Sequence, residues 1–323
     1  MQPTYVIAAS AKQSSLPAMT NYRYRAFGLD VVSDIPLPDL QQTSGVISPD
    51  VTISAAPVPV TDSAEPIGLH VTPDGAILNI PEAGRYLVSD GNSIIVEPSP
   101  AATDRNVRLY LLGSAFGAIL HQRGLLPLHA NIIDFGGAAV AFMGHSGAGK
   151  STLATWFHDR GHVILGDDVC VVRPDESGKP VAEPGLLRIR LWGDALEASG
   201  RTATDYDMSF DDMDKYDVPL SAGAPLKPLR LAAIYNLHSV DPASESSIER
   251  LTGVGAIQAL VANTYRGSFV AMLDGVGHHL AQCIALARQV PVFDLRRRWS
   301  LDALADEVAY IEAHVRTVLD QQR

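Results

Sequence analysis

Cysteine is nearly missing from this sequence. The 323 residues hold two, Cys170 and Cys283, each set in apolar text (DDVCVVR and LAQCIALA). Thiols so few and so placed argue against a disulfide scaffold or a cysteine metal centre, and predict two buried, reduced side chains. Long hydrophobic runs are missing too: no stretch reaches the roughly 18 uninterrupted apolar residues that a membrane span requires. The opening residues, MQPTYVIAASAKQSS, lack a cationic start ahead of an apolar run, so no signal peptide is expected. A cytoplasmic protein is the expectation. Positive charge is short as well, with 25 Lys and Arg against 36 Asp and Glu and a net charge of −11. Such a chain has no basic field with which to displace counterions, so neither nucleic acid nor an anionic membrane is an expected partner. Repeats and low-complexity tracts are absent. What remains, 46% hydrophobic and 19% charged, is the composition of a globular protein.

A chain of this length exceeds the usual single domain, and its text divides accordingly. Residues 1–20 lack periodicity and read as a mobile leader. Residues 21–125 read as a small, mostly antiparallel β lobe closed by a helix. YRAFGLDVVSDIPLPDL, DVTISA, GLHVTPDGAILNI and GRYLVSDGNSIIVEP alternate apolar with polar residues, and Pro73-Asp74-Gly75 and Asp90-Gly91-Asn92 mark turns. The closing helix spans 103–122, with Thr103 as N-cap and Gly124 as its stop. Residues 126–323 form the larger α/β domain. Its strands are expected at 129–133, 138–143, 162–165, 169–172 and in LRLAAIYNLH, with a helix from Lys150 to Asp159 stopped by Gly161. Residues 200–226 are acidic and poor in large aliphatics, and read as a mobile excursion or lid. The last 75 residues read as mostly helical, with Ser300 opening a final amphipathic helix that contains Glu307 and Val308.

The chemistry sits at 144–152. Gly144-His145-Ser146-Gly147-Ala148-Gly149-Lys150-Ser151-Thr152 satisfies the Walker A spacing, behind an apolar strand and ahead of a helix. Glycines at 147 and 149 let backbone N–H groups converge on phosphate oxygens at a helix N-terminus. Lys150 supplies a charged donor to the β- and γ-phosphates, and Ser151 a hydroxyl for Mg²⁺. A nucleoside triphosphate with Mg²⁺ is therefore the expected ligand pair. His145 reads as an exposed spacer in this loop.

Asp167 and Asp168 follow the strand VILG, only 16 residues beyond Ser151. On an extended backbone, adjacent carboxylates face opposite ways and can serve two purposes. One can orient Mg²⁺, and the other can take the proton of an acceptor hydroxyl. The pair favours transfer to an alcohol over hydrolysis.

At these residues the sequence resembles the HPr kinase/phosphorylase superfamily, whose core is itself similar to phosphoenolpyruvate carboxykinase. The resemblance is carried by His129 in PLHAN, the loop GHSGAGKS, the helix ending DRGH and the pair in LGDDV, over residues 127 to about 173. FGLDVVSDIPLPDL and ARQVPVFDL resemble a branch found beside biosynthetic genes for modified peptides, whose lasso-peptide members phosphorylate a C-terminal serine of the precursor. The resemblance implies a P-loop core, ATP as donor, His129 near the phosphates and one aspartate as base, with Asp167 assigned as base and Asp168, with Ser151, to the metal. Thr152, where the bifunctional family has an acidic residue, and PGLLRIRLW, in place of its phosphorylase motif, point away from reverse phosphorylase activity and from HPr as substrate. Those relatives form rings, which leaves a homo-oligomer open here.

Positive groups must neutralise a moving phosphoryl. Arg188 and Arg190, two apart on a strand, face one side. With Arg266 in NTYRG they are the candidates for reaching the phosphates, with Lys227 beside the acidic stretch as a further one. Arg296, Arg297 and Arg298, followed by Trp299, read as a solvated rim around a helix start, with a peptide- or phosphate-contacting patch as the alternative. Three functions fit: a kinase acting on a serine of a peptide or small protein, a small-molecule kinase with the same core, and a nucleotide-binding regulator.

Overall fold

The alternating text of the first hundred residues becomes a single sheet in the computed structural model, which describes residues 21–45, 48–59, 66–210, 213–220, 227–273, 275–298 and 300–323. The expected leader, Trp299 and the remaining parts of the expected lid lie outside these described residues. The strands are β1 (Tyr22–Ala26), β2 (Leu29–Ser33), β3 (Gln41–Gln42), β4 (Val51–Ala55), β5 (Gly68–Thr72), β6 (Gly75–Ile80), β7 (Gly84–Ser89) and β8 (Ser93–Pro98). They lie in the order β3-β1-β2-β4-β8-β7-β6-β5. The β2–β4 and β4–β8 pairings are parallel and the others antiparallel. The β7–β8 turn carries Asp90 and Gly91 at φ 53° and 64°, the positive values that a tight hairpin demands.

The closing helix starts as expected. Thr103 accepts a hydrogen bond from the Asn106 backbone N–H, and Gly124, at φ 65°, ends it. Its middle differs from the expectation. Helices α1 (Asp104–Tyr110) and α2 (Phe116–Gln122) flank a π-helical turn over Leu111–Ala115. The side chain of Tyr265 packs there: a Cβ on Gly113 would stand 3.3 Å from its hydroxyl and one on Gly117 3.2 Å from its ring. Val169, Val171, Leu186, Tyr265 and Phe269 join the core beneath this sheet and helix.

The second sheet is built from β9 (Leu126–Leu128), β10 (Ala130–Asp134), β11 (Ala139–Met143), β12 (Val163–Gly166), β13 (Cys170–Pro174) and β14 (Pro180–Glu183), with helix α3 (Lys150–Asp159) between β11 and β12. Next along the chain come β15 (Arg188–Trp192), α4 (Gly193–Ala198), β16 (Asp207–Met208), β17 (Lys215–Pro219) and β18 (Leu229–Val240). The chain ends through β19 (Ser247–Leu251), α5 (Gly253–Ala262), α6 (Ser268–Met272), α7 (Val276–Gln289), β20 (Val292–Arg298) and α8 (Leu304–Asp320). The sheet runs β12-β10-β11-β18-β14-β13-β9, with β20 and β19 added beyond β18.

One feature of this topology positions the site. Strands β11, β18 and β20 are parallel, whereas β10 is antiparallel to both β11 and β12. Strand β12 therefore points the same way as β11. The residues after β11, those after β12 and the residue before β10 all emerge at one edge. The sheet is mixed, yet its mouth is intact because the reversal falls between two co-directional strands.

Three expectations need correction. Among the described residues, the last 75 positions hold four helices but also β19 and β20, and β20 is a parallel partner of β18. The text VFDLRRR buries Val292, Phe293, Leu295 and Arg297, a strand hidden between two longer helical patterns. Helix α8 begins at Leu304 rather than Ser300, whose hydroxyl accepts from the Ala303 N–H in the turn ahead of it. The acidic stretch contributes β16 and β17, and β17 pairs with both β15 and β16 in a third sheet. Both cysteines are buried and free, as expected. No described helix is long and apolar enough to cross a membrane.

Candidate active site

The phosphate-type loop is a conformational consequence of its glycines. Gly147 and Gly149 take φ of 86° and 83°, which side chains with a Cβ rarely adopt. Gly149 is the N-cap of α3, and no side chain caps the first turn, so its N–H groups face a cavity of about 540 Å³. Ala148 anchors the loop by its burial in the core cluster that also holds Phe142, Leu153 and Phe157. Lys150, 7% exposed, reaches back with Nζ to the carbonyl oxygens of Gly144 (2.8 Å) and His145 (3.0 Å). Asn131 of β10 donates to the Lys150 carbonyl at 2.7 Å, tying α3 to the sheet. Ser146, Gly147, Gly149, Lys150, Ser151 and Thr152 all line the cavity. His145 is exposed and Gly144 lies behind the loop, and both turn toward a neighbouring cavity.

The aspartates divide in a way the sequence did not suggest. They occupy a bend, not an extended strand, and Asp168 has φ 75°, in the left-handed region. Asp167 is 2% exposed and accepts from the Ser151 hydroxyl at 3.1 and 3.2 Å and from the Arg190 backbone N–H at 2.9 Å. Burial and the neighbouring Asp168 charge push its carboxyl above the usual range. Asp168 turns the other way. Its carboxylate lies 3.3 Å from His129 Nδ1 and 3.5 Å from the Arg190 guanidinium, and its carbonyl oxygen is 3.0 Å from the same His129 nitrogen. Burial alone would raise its pKa, but the hydrogen bond from His129 and the Arg190 charge outweigh that and hold the group well below the ordinary carboxylate range. The expectation pairs Ser151 with Asp168. In the structure Ser151 meets Asp167 instead, because β12 brings its first following residue beside α3.

Mg²⁺ suits this arrangement. Among the described residues no cluster of three His, Cys, Asp or Glu has metal-binding geometry. Ser151 and Asp167 together are a partial ligand set of the kind Mg²⁺ uses, with water and phosphate oxygens completing it.

The basic candidates separate sharply. Arg190 lines the loop cavity, facing Asp168 and, at 3.5 Å, Asp217. Arg188 does not line it: this side chain is 3% exposed and bound to Asp39 (2.9 Å) and Asp217 (3.2 Å). Arg266, with φ 50°, lies over the Tyr265 ring and lines the neighbouring cavity only. Lys227 is exposed and lines neither. Of the arginine triplet, Arg296 is exposed and pairs with Asp294, as a solvated rim would, whereas Arg298 is half-buried and bound to the buried Glu307. Arg297 is the exception: it is 2% exposed, donates to the Ala148 carbonyl at 3.4 Å and lines the loop cavity. Arg297 figured in the sequence reading only through the alternative of a phosphate-contacting patch, and Asn131 and Lys215 not at all. The period-2 pattern of VFDLRRR was the signal available for the first.

A second cavity, of about 570 Å³, lies beside the first. Tyr110, Phe210, Tyr265 and Arg266 line it and not the first. His129, Ser146, Asp168, Arg190, Trp192 and Lys215 line both cavities. Asp168 thus stands in a shared wall.

Burial also sets a pH response. The Lys150 ammonium is pushed down to about 8 by desolvation, against which the nearby Asp168 and Asp167 charges work. Phosphate contact would favour its charged form, so binding above that value must take up a proton. Affinity for Mg²⁺·ATP should be level below pH 8 and fall up to about tenfold per pH unit above it. Titration calorimetry at pH 7, 8 and 9 checks this. Equal affinity at all three would contradict the role given to this amine.

No family model matches the chain, and no curated protein matches it. Among solved structures, the chain is similar to the HPr(Ser) kinase/phosphatase from Coxiella burnetii at 13% identity and a TM-score of 0.31, covering 59% of this chain and 97% of that one. A likeness that slight carries no functional weight, which rests on the site itself.

Proposed function

We propose that this chain is an ATP- and Mg²⁺-dependent kinase that phosphorylates a serine hydroxyl of a peptide or small protein. The resemblance in its sequence narrows the acceptor to the C-terminal serine of a lasso-peptide precursor. One observation carries the reading: Asp168 lines both the phosphate-loop cavity and the cavity beside it. A carboxylate in that shared wall can meet an incoming hydroxyl at the terminal phosphorus.

The loop amides and Lys150 hold the β- and γ-phosphates, and Ser151 and Asp167 would hold Mg²⁺. That ion, when bound, neutralises charge building on the phosphate oxygens. The acceptor hydroxyl enters from the side of Tyr265 and Arg266. Its oxygen forms a bond to the γ-phosphorus as the bond from that phosphorus to the β,γ-bridging oxygen breaks. The electron pair leaves with ADP, and the hydroxyl proton passes to Asp168. His129 and Arg190 keep that carboxylate ionised and aimed. A low proton affinity does not disqualify it, because a loose phosphoryl transition state demands little deprotonation before transfer. This assigns Asp168 as base and Asp167 to the metal.

The test is incubation with γ-labelled ATP and serine-ended precursor-type peptides, with free serine as control, followed by mass spectrometry. The reading expects label on the peptide hydroxyl. Label found only in inorganic phosphate, or only on the free amino acid, would refute it.

A further inference from the structure

Strand β17 carries a cation that neither the loop motif nor the resemblance explains. Lys215 stands directly across from Trp192 of β15 in the antiparallel register, and its Nζ lies 5.6 Å from the centre of the indole ring. The backbone fixes this position from both sides. The Lys215 N–H donates to Met213, and its carbonyl accepts from the Ser209 N–H, each at 2.7 Å. On β15, Ile189 and Leu191 are buried in the core against α3, which turns Arg188, Arg190 and Trp192 to the opposite face. The β15–β17 sheet thereby presents Arg190, Trp192 and Lys215 where the two cavities meet.

The charges at that meeting point are unevenly committed. Arg188 is bound to Asp39 and Asp217, and Arg190 faces Asp168 and Asp217. Lys150 is engaged by two loop carbonyls. Lys215 has no carboxylate within ion-pair distance among the described residues, only the face of Trp192. It is nonetheless close enough for its charge to act on Asp167, Asp168 and Lys150. An ammonium parked on an aromatic face can exchange that weak partner for an anion at small cost.

We infer that Lys215 is a further catalytic residue, which grips the terminal phosphoryl group where the two cavities meet and neutralises it during transfer. The transfer part rests on the kinase reading above, but contact with the terminal phosphate does not. In this arrangement the loop holds the nucleotide's phosphate chain and the β15–β17 sheet supplies the cation for the group that moves. Donors aimed at the transferring group stabilise charge that develops only there, which a nucleoside diphosphate cannot present.

The experiment measures affinity for Mg²⁺·ADP and for the Mg²⁺ complex of a non-hydrolysable ATP analogue, in the wild type, Lys215→Met and Lys215→Arg. ADP binding serves as the internal check of folding. Lys215→Met should bind ADP within about twofold of wild type and the ATP analogue about 10- to 100-fold more weakly, the loss expected for one charge-assisted hydrogen bond. Lys215→Arg should keep most of the preference for the triphosphate. An unchanged preference in Lys215→Met overturns the inference, and so does equal weakening of both nucleotides. If the preference collapses in Lys215→Met yet no acceptor is ever labelled by the wild type, the contact with the terminal phosphate stands, and the kinase reading falls together with the transfer role of Lys215.

Discussion

Asp168→Asn is expected to slow phosphoryl transfer by about 10²- to 10⁴-fold, the range of a lost general base, with little change in Mg²⁺·ATP affinity. The substitution is a clean one for this backbone. Asp168 sits at φ 75°, and asparagine is among the few residues that tolerate the left-handed region. The amide fills the same space and can still meet His129 and Arg190 with its oxygen. What it cannot do is accept a proton at neutral pH. Asp167→Asn should behave differently, because Asp167 is bonded to Ser151 and the proposed role of that pair is to hold the metal rather than to meet the acceptor. That variant should need more Mg²⁺ for half-maximal activity and recover in part at high Mg²⁺, whereas Asp168→Asn should not recover. Steady-state kinetics across a Mg²⁺ series separates the two. A Mg²⁺-rescuable Asp168→Asn beside an unrescuable Asp167→Asn would reverse the assignment.

Lys150→Met should lower ATP affinity by about 100-fold or more, since the proposed role of its ammonium is that of the charged donor to the phosphates. The loss would be local. Lys150 is almost fully buried, and burial of its charge works against the folded state, as its depressed pKa records. Methionine has a similar length and no charge to desolvate, so the melting temperature of the free protein should hold or rise. Calorimetric titration with Mg²⁺·ATP, paired with a thermal melt, checks both halves. Unimpaired ATP binding would remove the loop from the account. A large drop in melting temperature would mean that the bonds to Gly144 and His145 serve the fold itself.

How much of this was legible in the sequence follows from how local each feature is. The loop 144–152 and helix α3 depend on glycine conformation and helix start signals within a few residues, and both stand where the text puts them. The aspartate pair was visible as a pair. Its division of roles was not, because that depends on β10 running between β11 and β12 in the opposite direction, which no local pattern records. Arg297 stands in a charged triplet, between an exposed Arg296 and an Arg298 bound to the buried Glu307. Burial of the middle residue follows from the alternation of β20, and that strand was masked by the helices on either side. Lys215 lay in a stretch read as an acidic excursion. Its role depends on pairing with Trp192 more than twenty residues earlier, across a sheet whose strands carry few large aliphatic residues. Arg188 shows the converse error. Its spacing from Arg190 placed both on one face correctly, but Asp39, far away in sequence, neutralises it.

The most direct test is a crystal structure with Mg²⁺ and a non-hydrolysable ATP analogue. The account predicts Mg²⁺ between Ser151, Asp167 and the phosphates, and a terminal phosphorus facing Asp168 and Lys215 where the second cavity opens. A terminal phosphate turned away from Asp168, or a metal ion held by Asp168 instead of Asp167, would contradict it.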